Sequence, residues 1–161
     1  MISLLMPSRG RAELAQQSIN SLTGDIEIII RIDSDDPQIE DYRTIASKDD
    51  RVTVIVGDPH GYAGMWRYQN EMCEYAKGDW LMVWNDDATM ETKNWAEVVH
   101  TYDATLPIVL SLYHPQDNLF PVISRKWHDI VRHWGLNAHI DSWVQQMGEQ
   151  TDTQLYVPNI K

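Results

Sequence analysis

Four short strand-like stretches rich in apolar residues, at residues 2–6, 26–32, 51–56 and 80–84, alternate with stretches whose apolar residues recur at helical spacing. That alternation leaves little choice of fold. Strands interleaved with helices pair in parallel, and the helices cover both faces of the sheet. Ile28-Ile29-Ile30 suits a central strand buried on both sides. Ala12, Leu14, Ala15, Ile19 and Leu22 share one face of a helix expected over 11–22. A second helix is expected over 37–47, with Asp36 as its cap and Pro37 in its first turn. A third is expected over 65–76, after the glycine-rich loop 57–64. Beyond Thr89 the pattern loosens. A helix is expected over 93–102, strands over 107–112 and 118–123, a helix over 125–134 capped by Ser124 and ended by Gly135, and a last helix over 141–147. Residues 148–161 read as a polar tail, either an arm or a partner-contacting segment. The expected fold class is α/β, a three-layer αβα sandwich with a mostly parallel central sheet, in one domain over residues 1–161.

Two of the apolar runs end in acids. Asn85-Asp86-Asp87 follows the run 80–84, and Asp33-Ser34-Asp35-Asp36 follows the run 26–32. A buried strand has no use for carboxylates in its interior, so both clusters belong at the C-terminal mouth of the sheet. Ligands of open α/β sheets bind in that crevice. Two carboxylates and an amide suit a hard cation such as Mg²⁺ or Mn²⁺. Asn and Asp are also ordinary turn residues, and the pattern alone leaves both readings open.

The formal charge is −11, from 24 acidic and 13 basic residues. That disfavours a nucleic-acid backbone or an anionic membrane as the main partner. A phosphate-bearing substrate would need a cation to hold it. No apolar run approaches the ~20 residues that span a bilayer. The first six residues are too short for a signal h-region and lack a basic flank, so the expected location is cytoplasmic. Cys73 is the single cysteine, which excludes an internal disulfide and suits a small core residue.

Four segments, in order, resemble the family 2-type glycosyltransferases of the GT-A fold. Met6-Pro7-Ser8-Arg9-Gly10-Arg11, with Ser18–Leu22 downstream, is similar to that family's first strand and helix. Residues 28–36 resemble its second strand and acidic end. Asn70, Ala76-Lys77-Gly78-Asp79-Trp80 and Asn85-Asp86-Asp87 resemble its "R-N-x-G … A-x-G-x-Y … D-x-D" block, with the usual fifteen-residue step from Asn70 to Asn85. Phe120–Ser124, then Gly135 and Asp141, resemble the acceptor half, where a late carboxylate is the base. The likeness covers about residues 2–145. There are departures. Asn85 stands for the first Asp of D-x-D, as it does in members resembling rhamnosyltransferases. Gln69 stands for the arginine before Asn70, with Arg67 nearby but not matching. Ile140-Asp141 lacks the usual Glu-Asp pair, the Q-x-x-R-W signature of processive synthases is missing, and the chain is short for the family.

The resemblance implies a GT-A-like, Rossmann-type sandwich with a nucleotide-sugar-binding half over 1–89, an acceptor half over 90–147 and a tail over 148–161. It implies metal-dependent transfer of a hexosyl-type sugar from a nucleotide-diphosphate donor to a hydroxyl of a glycan or other acceptor. Asp87 is the expected metal ligand for Mn²⁺ or Mg²⁺, with Asn85 toward the ribose or the metal. Asp86 belongs to the donor site or points back into the protein, since alternate residues of an extended chain face opposite ways. Asp33 or Asp35 is expected on the nucleobase, and Pro7, Ser8, Arg9 and Asn70 beside the nucleotide. Asp141 is the candidate general base, which would make transfer inverting; its other reading is a helix N-cap. His139 is a candidate metal or acceptor contact and His60 a candidate donor contact; His100, His114, His128 and His133 read as surface or structural. Trp80, Trp84 and Trp95 read as core. Trp134 and Trp143 are expected to flank the acceptor, and Trp66 and Tyr68 to stack or pack. Competing functions are a nucleotidyltransferase on a similar sheet and a degenerate, non-catalytic transferase that binds sugar or a partner. An oligomer formed through the tail is a further expectation, with fold-back of its apolar residues as the alternative.

Overall fold

A computed structural model describes residues 1–112, 119–158 and 160. Its order is β1 (Ile2–Pro7), α1 (Ala12–Ser21), β2 (Ile26–Asp33), α2 (Ile39–Lys48), β3 (Val52–Gly57), a 3₁₀ turn at Tyr62–Gly64, α3 (Met65–Tyr75) and β4 (Trp80–Val83). There follow α4 (Trp95–His100), β5 (Val109–Leu112), β6 (Val122–Ser124), α5 (Arg125–Val131), α6 (Ile140–Gln150) and β7 (Gln154–Val157). The seven strands form one sheet in the order β3-β2-β1-β4-β6-β5-β7. Only β6 runs against its neighbours, so the sheet is mostly parallel, as expected.

Period-two alternation along the strands divides the core between two faces. Leu4, Met6, Ile28, Ile30 and Met82 pack beneath α1, α2 and α4, through Ile19, Tyr42 and Trp95. Leu5, Ile29, Leu81 and Val83 pack against α3, α5 and α6, through Met72, Trp127 and Val144. Trp80, Trp84 and Trp95 are buried, as is Cys73. The Cys73 thiol accepts a hydrogen bond from Trp134 Nε1 at 2.9 Å, and burial pushes its pKa up to about 12. Among the described residues no helix is long and apolar enough to cross a membrane.

Three expectations are corrected. Helix α2 begins at Ile39, not Pro37, and no side chain caps it. Asp36 instead closes a turn on Gln38 N at 2.7 Å, the local bond that Asp favours. Its other oxygen accepts from Gly10 N at 2.8 Å. Helix α5 stops at Val131, because Arg132 takes a left-handed φ of 69°; Ser124 does cap it, accepting from Trp127 N at 3.1 Å. The tail is no arm. Helix α6 continues to Gln150, and β7 adds to the sheet parallel to β5 with Val157 and Ile160 buried. Those apolar residues fold back onto their own chain. His114, and Asn118 at the start of one expected strand, lie outside the described residues.

Candidate functional site

The C-terminal ends of β1, β2 and β4 meet at one edge of the sheet, and the loops leaving them carry Arg9, Arg11, Asp35, Asp36, Asp86 and Asp87. After β1 the chain turns through Ser8-Arg9-Gly10, with Gly10 at φ 63°. Arg9 leans across to β2. Its Nη1 donates to Asp33 Oδ2 at 2.8 Å and to Asp35 Oδ1 at 2.5 Å, and Nη2 donates to Asp35 Oδ2 at 3.1 Å. The bond from Arg9 holds the Asp35 carboxyl below its usual range, against an opposing effect of desolvation. Arg11 turns the other way, to the end of β4. It lies 2.7 Å from Asp86 Oδ1 and 3.2 Å from Asp87 Oδ2.

Asp86 and Asp87 are adjacent in sequence and opposite in environment. The Asp86 side chain is 1% exposed and that of Asp87 is 52% exposed. Asp86 does turn back into the protein, where Ser8 Oγ donates to it at 2.5 Å. Burial pushes its carboxyl above the ordinary range; Ser8 and Arg11 oppose the rise and the Asp87 charge adds to it. The Ser8 hydroxyl also meets Tyr42 Oη at 2.6 Å, so it ties the β1 loop to both α2 and the acidic cluster. Ser18 Oγ accepts from Trp84 Nε1 at 2.8 Å and donates to the Asn85 carbonyl at 3.3 Å, which sets the exit of β4.

A second network underlies this one, and the sequence reading missed it. Arg31, in the middle of β2, is 1% exposed. Its Nε donates to Glu71 Oε2 at 2.5 Å and its Nη2 to the Asp58 carbonyl at 2.8 Å, while Nη1 donates to the Ile32 carbonyl. The guanidinium also lies 4.9 Å from the centre of the Tyr68 ring. Tyr68 Oη donates to Asp33 Oδ1 at 2.8 Å and accepts from His60 N and Gly61 N at 2.7 and 3.1 Å. His60 Nε2 faces Glu71 Oε1 at 2.5 Å. These bonds fasten the loop 57–64 to β2 and α3. His60 is therefore held within the loop by Glu71. An arginine directly after the apolar run Ile28-Ile29-Ile30 was the available signal, because a buried cation needs partners.

Two adjoining cavities open above these networks. The first, about 190 Å³, is lined by Pro7, Ser8, Arg9, Arg11, Asp33 and Tyr68, among others. The second, about 270 Å³, is lined by Asn85, Gln69, His139, Asp141, Val83 and Phe120, among others. Pro7, Tyr62 and Met65 line both. Neither alone reaches the ~300 Å³ at the lower end of small-molecule sites; joined, they do. Asp141 sits within the first turn of α6, whose N-cap is His139, so the capping reading of Asp141 is set aside.

Other candidates lie away from the cavities. Asn70 Oδ1 accepts from Trp134 N at 3.1 Å and so fastens α3 to the chain before α6. Trp134 is buried, and Trp143 packs edge-on against Trp127 with centroids 6.0 Å apart. Neither Trp134 nor Trp143 lines either cavity, and Trp66 stacks with Arg67.

Among the described residues no three His, Cys, Asp or Glu side chains gather to hold a metal ion. Asn85 and Asp87 offer two oxygen-bearing side chains at the mouth. That donor set fits Mg²⁺ or Mn²⁺ in sites completed by substrate phosphates, which rarely use an all-protein cage.

The profile of Glycosyl transferase family 2 matches residues 3–154. No curated protein matches the chain. Among solved structures, the mannosyltransferase PcManGT from Pyrobaculum calidifontis, in complex with GDP-Man and Mn²⁺, aligns with a TM-score of 0.77 at 12% identity over 98% of this chain and 55% of its own. S. aureus TarS 1-349 in complex with UDP aligns with a TM-score of 0.73 at 9% identity, over 98% of this chain and 58% of its own. The chain thus spans little more than half the length of these structures, and at such identities the likeness establishes the fold alone. That fold is GT-A. With a family match that runs from β1 into β7, the chain belongs to glycosyl transferase family 2.

Proposed function

We propose that the chain transfers a sugar from a nucleotide-diphosphate donor to an acceptor hydroxyl, with metal dependence and inversion of the anomeric centre. The observation that carries this reading is the pair of joined cavities, one rimmed by Arg9, Arg11 and Asp33 and the other holding Asn85 and Asp141. The first suits a nucleoside: Pro7 and Tyr68 offer flat walls, and Asp33 and Arg9 offer hydrogen bonds to a base. The second suits a sugar and its acceptor. The diphosphate would cross between them, past Arg11, Asn85 and Asp87. The complexes of PcManGT with GDP-Man and Mn²⁺ and of TarS with UDP support a donor of this class.

Asn85 and Asp87 would hold a divalent cation, which supplies Lewis-acid neutralisation of the leaving diphosphate. The chain's own residues do the rest. Asp141 takes the proton of the acceptor hydroxyl as its oxygen bonds to the anomeric carbon. The bond from that carbon to the phosphate oxygen breaks, and its electron pair leaves with the diphosphate. Attack from the face opposite the leaving group inverts the centre. Phe120 and Val83 give the second cavity an apolar side beside Asn85 and Asp141.

The test is release of nucleoside diphosphate from UDP-, GDP- and dTDP-sugars with Mn²⁺ and a panel of sugar acceptors. One donor class is expected to turn over, with the product inverted by NMR. A product of retained configuration would contradict the role of Asp141. Tight nucleotide binding without turnover on any acceptor would favour the non-catalytic alternative.

A further inference from the structure

Gln69, on α3, lines the second cavity with Asn85, His139 and Asp141. It is 0% exposed, and its Nε2 and its Oε1 are both buried without a hydrogen-bond partner. Such groups are few in native proteins, and each calls for a reason. Both ends are orphaned, so turning the amide over leaves the same two groups unpaired. The missing partner must accept from the NH₂ and donate to the carbonyl. A phosphate or carboxylate only accepts, and a metal ion would take only the carbonyl oxygen. A hydroxyl does both, whether it belongs to a sugar or to water.

We propose that Gln69 is a specificity-determining residue that hydrogen-bonds hydroxyl groups of the donor's transferred sugar and selects a neutral sugar over one bearing a carboxylate at that place. This rests on the donor reading above and adds to it the class of sugar. The position matters because the arginine implied there by the family resemblance has donors only and would suit an anion. A site built to hydrogen-bond a hydroxyl rejects analogues that lack it, since its own buried groups are then left unpaired. The amide has no accessible surface in this structure, so contact requires a neighbouring side chain to shift. Tyr62, which lines the same cavity as Gln69, is 74% exposed.

The inference predicts opposite effects on fold and function. Gln69→Met keeps the volume while removing both orphaned groups, so the melting temperature should be equal to or above that of wild type. Calorimetry on the full chain with Mn²⁺ would compare each nucleoside diphosphate with its nucleotide-sugars, a neutral hexose and a uronate of the same nucleotide. Wild type should prefer the neutral nucleotide-sugar. Gln69→Met should bind the bare nucleoside diphosphate as wild type does and lose about tenfold in affinity for the neutral sugar. Unchanged sugar preference in Gln69→Met, or a lowered melting temperature that marks the amide as structural, would overturn this inference alone. No binding of any nucleoside diphosphate by wild type would overturn the donor reading, and this inference with it.

Discussion

Replacing Asp141 with asparagine is expected to lower kcat for sugar transfer by about 10²–10⁴-fold, the usual contribution of a general base. Asparagine keeps the shape of the side chain and cannot take the proton. The affinity for nucleoside diphosphate should not change, because Asp141 lines the second cavity and not the first. Stability should not change either. The N-cap of α6 is His139, and Asp141 makes no hydrogen bond or ion pair with any described residue; such positions usually stay within about 0.5 kcal/mol of wild type. Steady-state kinetics beside a thermal melt would check all three quantities. Equal kcat in the two proteins would remove Asp141 from the reaction.

Arg31→Met is expected to cost about 3–5 kcal/mol of stability, because it breaks a buried ionic network by removing one partner. The guanidinium is the shared donor for Glu71, for the Ile32 and Asp58 carbonyls, and for the loop these hold. Lysine should not restore it, since one ammonium cannot reproduce a planar fork. The network also carries a pH signature. Burial raises the Glu71 carboxyl, but bonds from His60 and Arg31 outweigh burial and leave it below the usual range. A depressed carboxylate stabilises the fold fully above its unfolded value of ~4.3, and that stability is lost as the pH falls through the folded value. Urea unfolding from pH 7 to pH 3 should therefore show an acid-sensitive component that shrinks in Arg31→Met. A loss below about 1 kcal/mol at pH 7 would mean that the guanidinium's burial cost cancels its bonds.

The parts of the fold that were legible in the sequence are those whose signal is local. Residues 28–30 form an apolar run because β2 is covered on both faces, and Ser124 caps α5 because its hydroxyl reaches only three residues ahead. What was not legible depends on distant partners. Strand β7 carries a short apolar pattern, and its meaning comes from β5, some 45 residues earlier. The start of α2 moved because Asp36 is shared with Gly10, which the chain approaches only after β1 and β2 pair. The site divides in the same way. The acids at the strand ends were visible as acids, and the burial of Asp86 beside the exposure of Asp87 fits alternation along an extended chain. That Arg9 would face Asp33 and Asp35 while Arg11 faces Asp86 and Asp87 required the loop geometry. Arg31 was passed over inside its strand, because its partners come from α3 and the glycine-rich loop.

The most direct test of the central claim is calorimetric titration of UDP, GDP and dTDP, each with and without Mn²⁺, into wild type and Asp87→Ala. Among the described residues Asp87 makes one ion pair, with Arg11 at 3.2 Å, and it is half exposed, so its removal should spare the fold. The account predicts that one nucleotide binds wild type, that binding requires Mn²⁺, and that Asp87→Ala abolishes the metal-dependent part. Binding equally strong without metal, or unaltered in Asp87→Ala, would contradict a metal-held diphosphate at the end of β4.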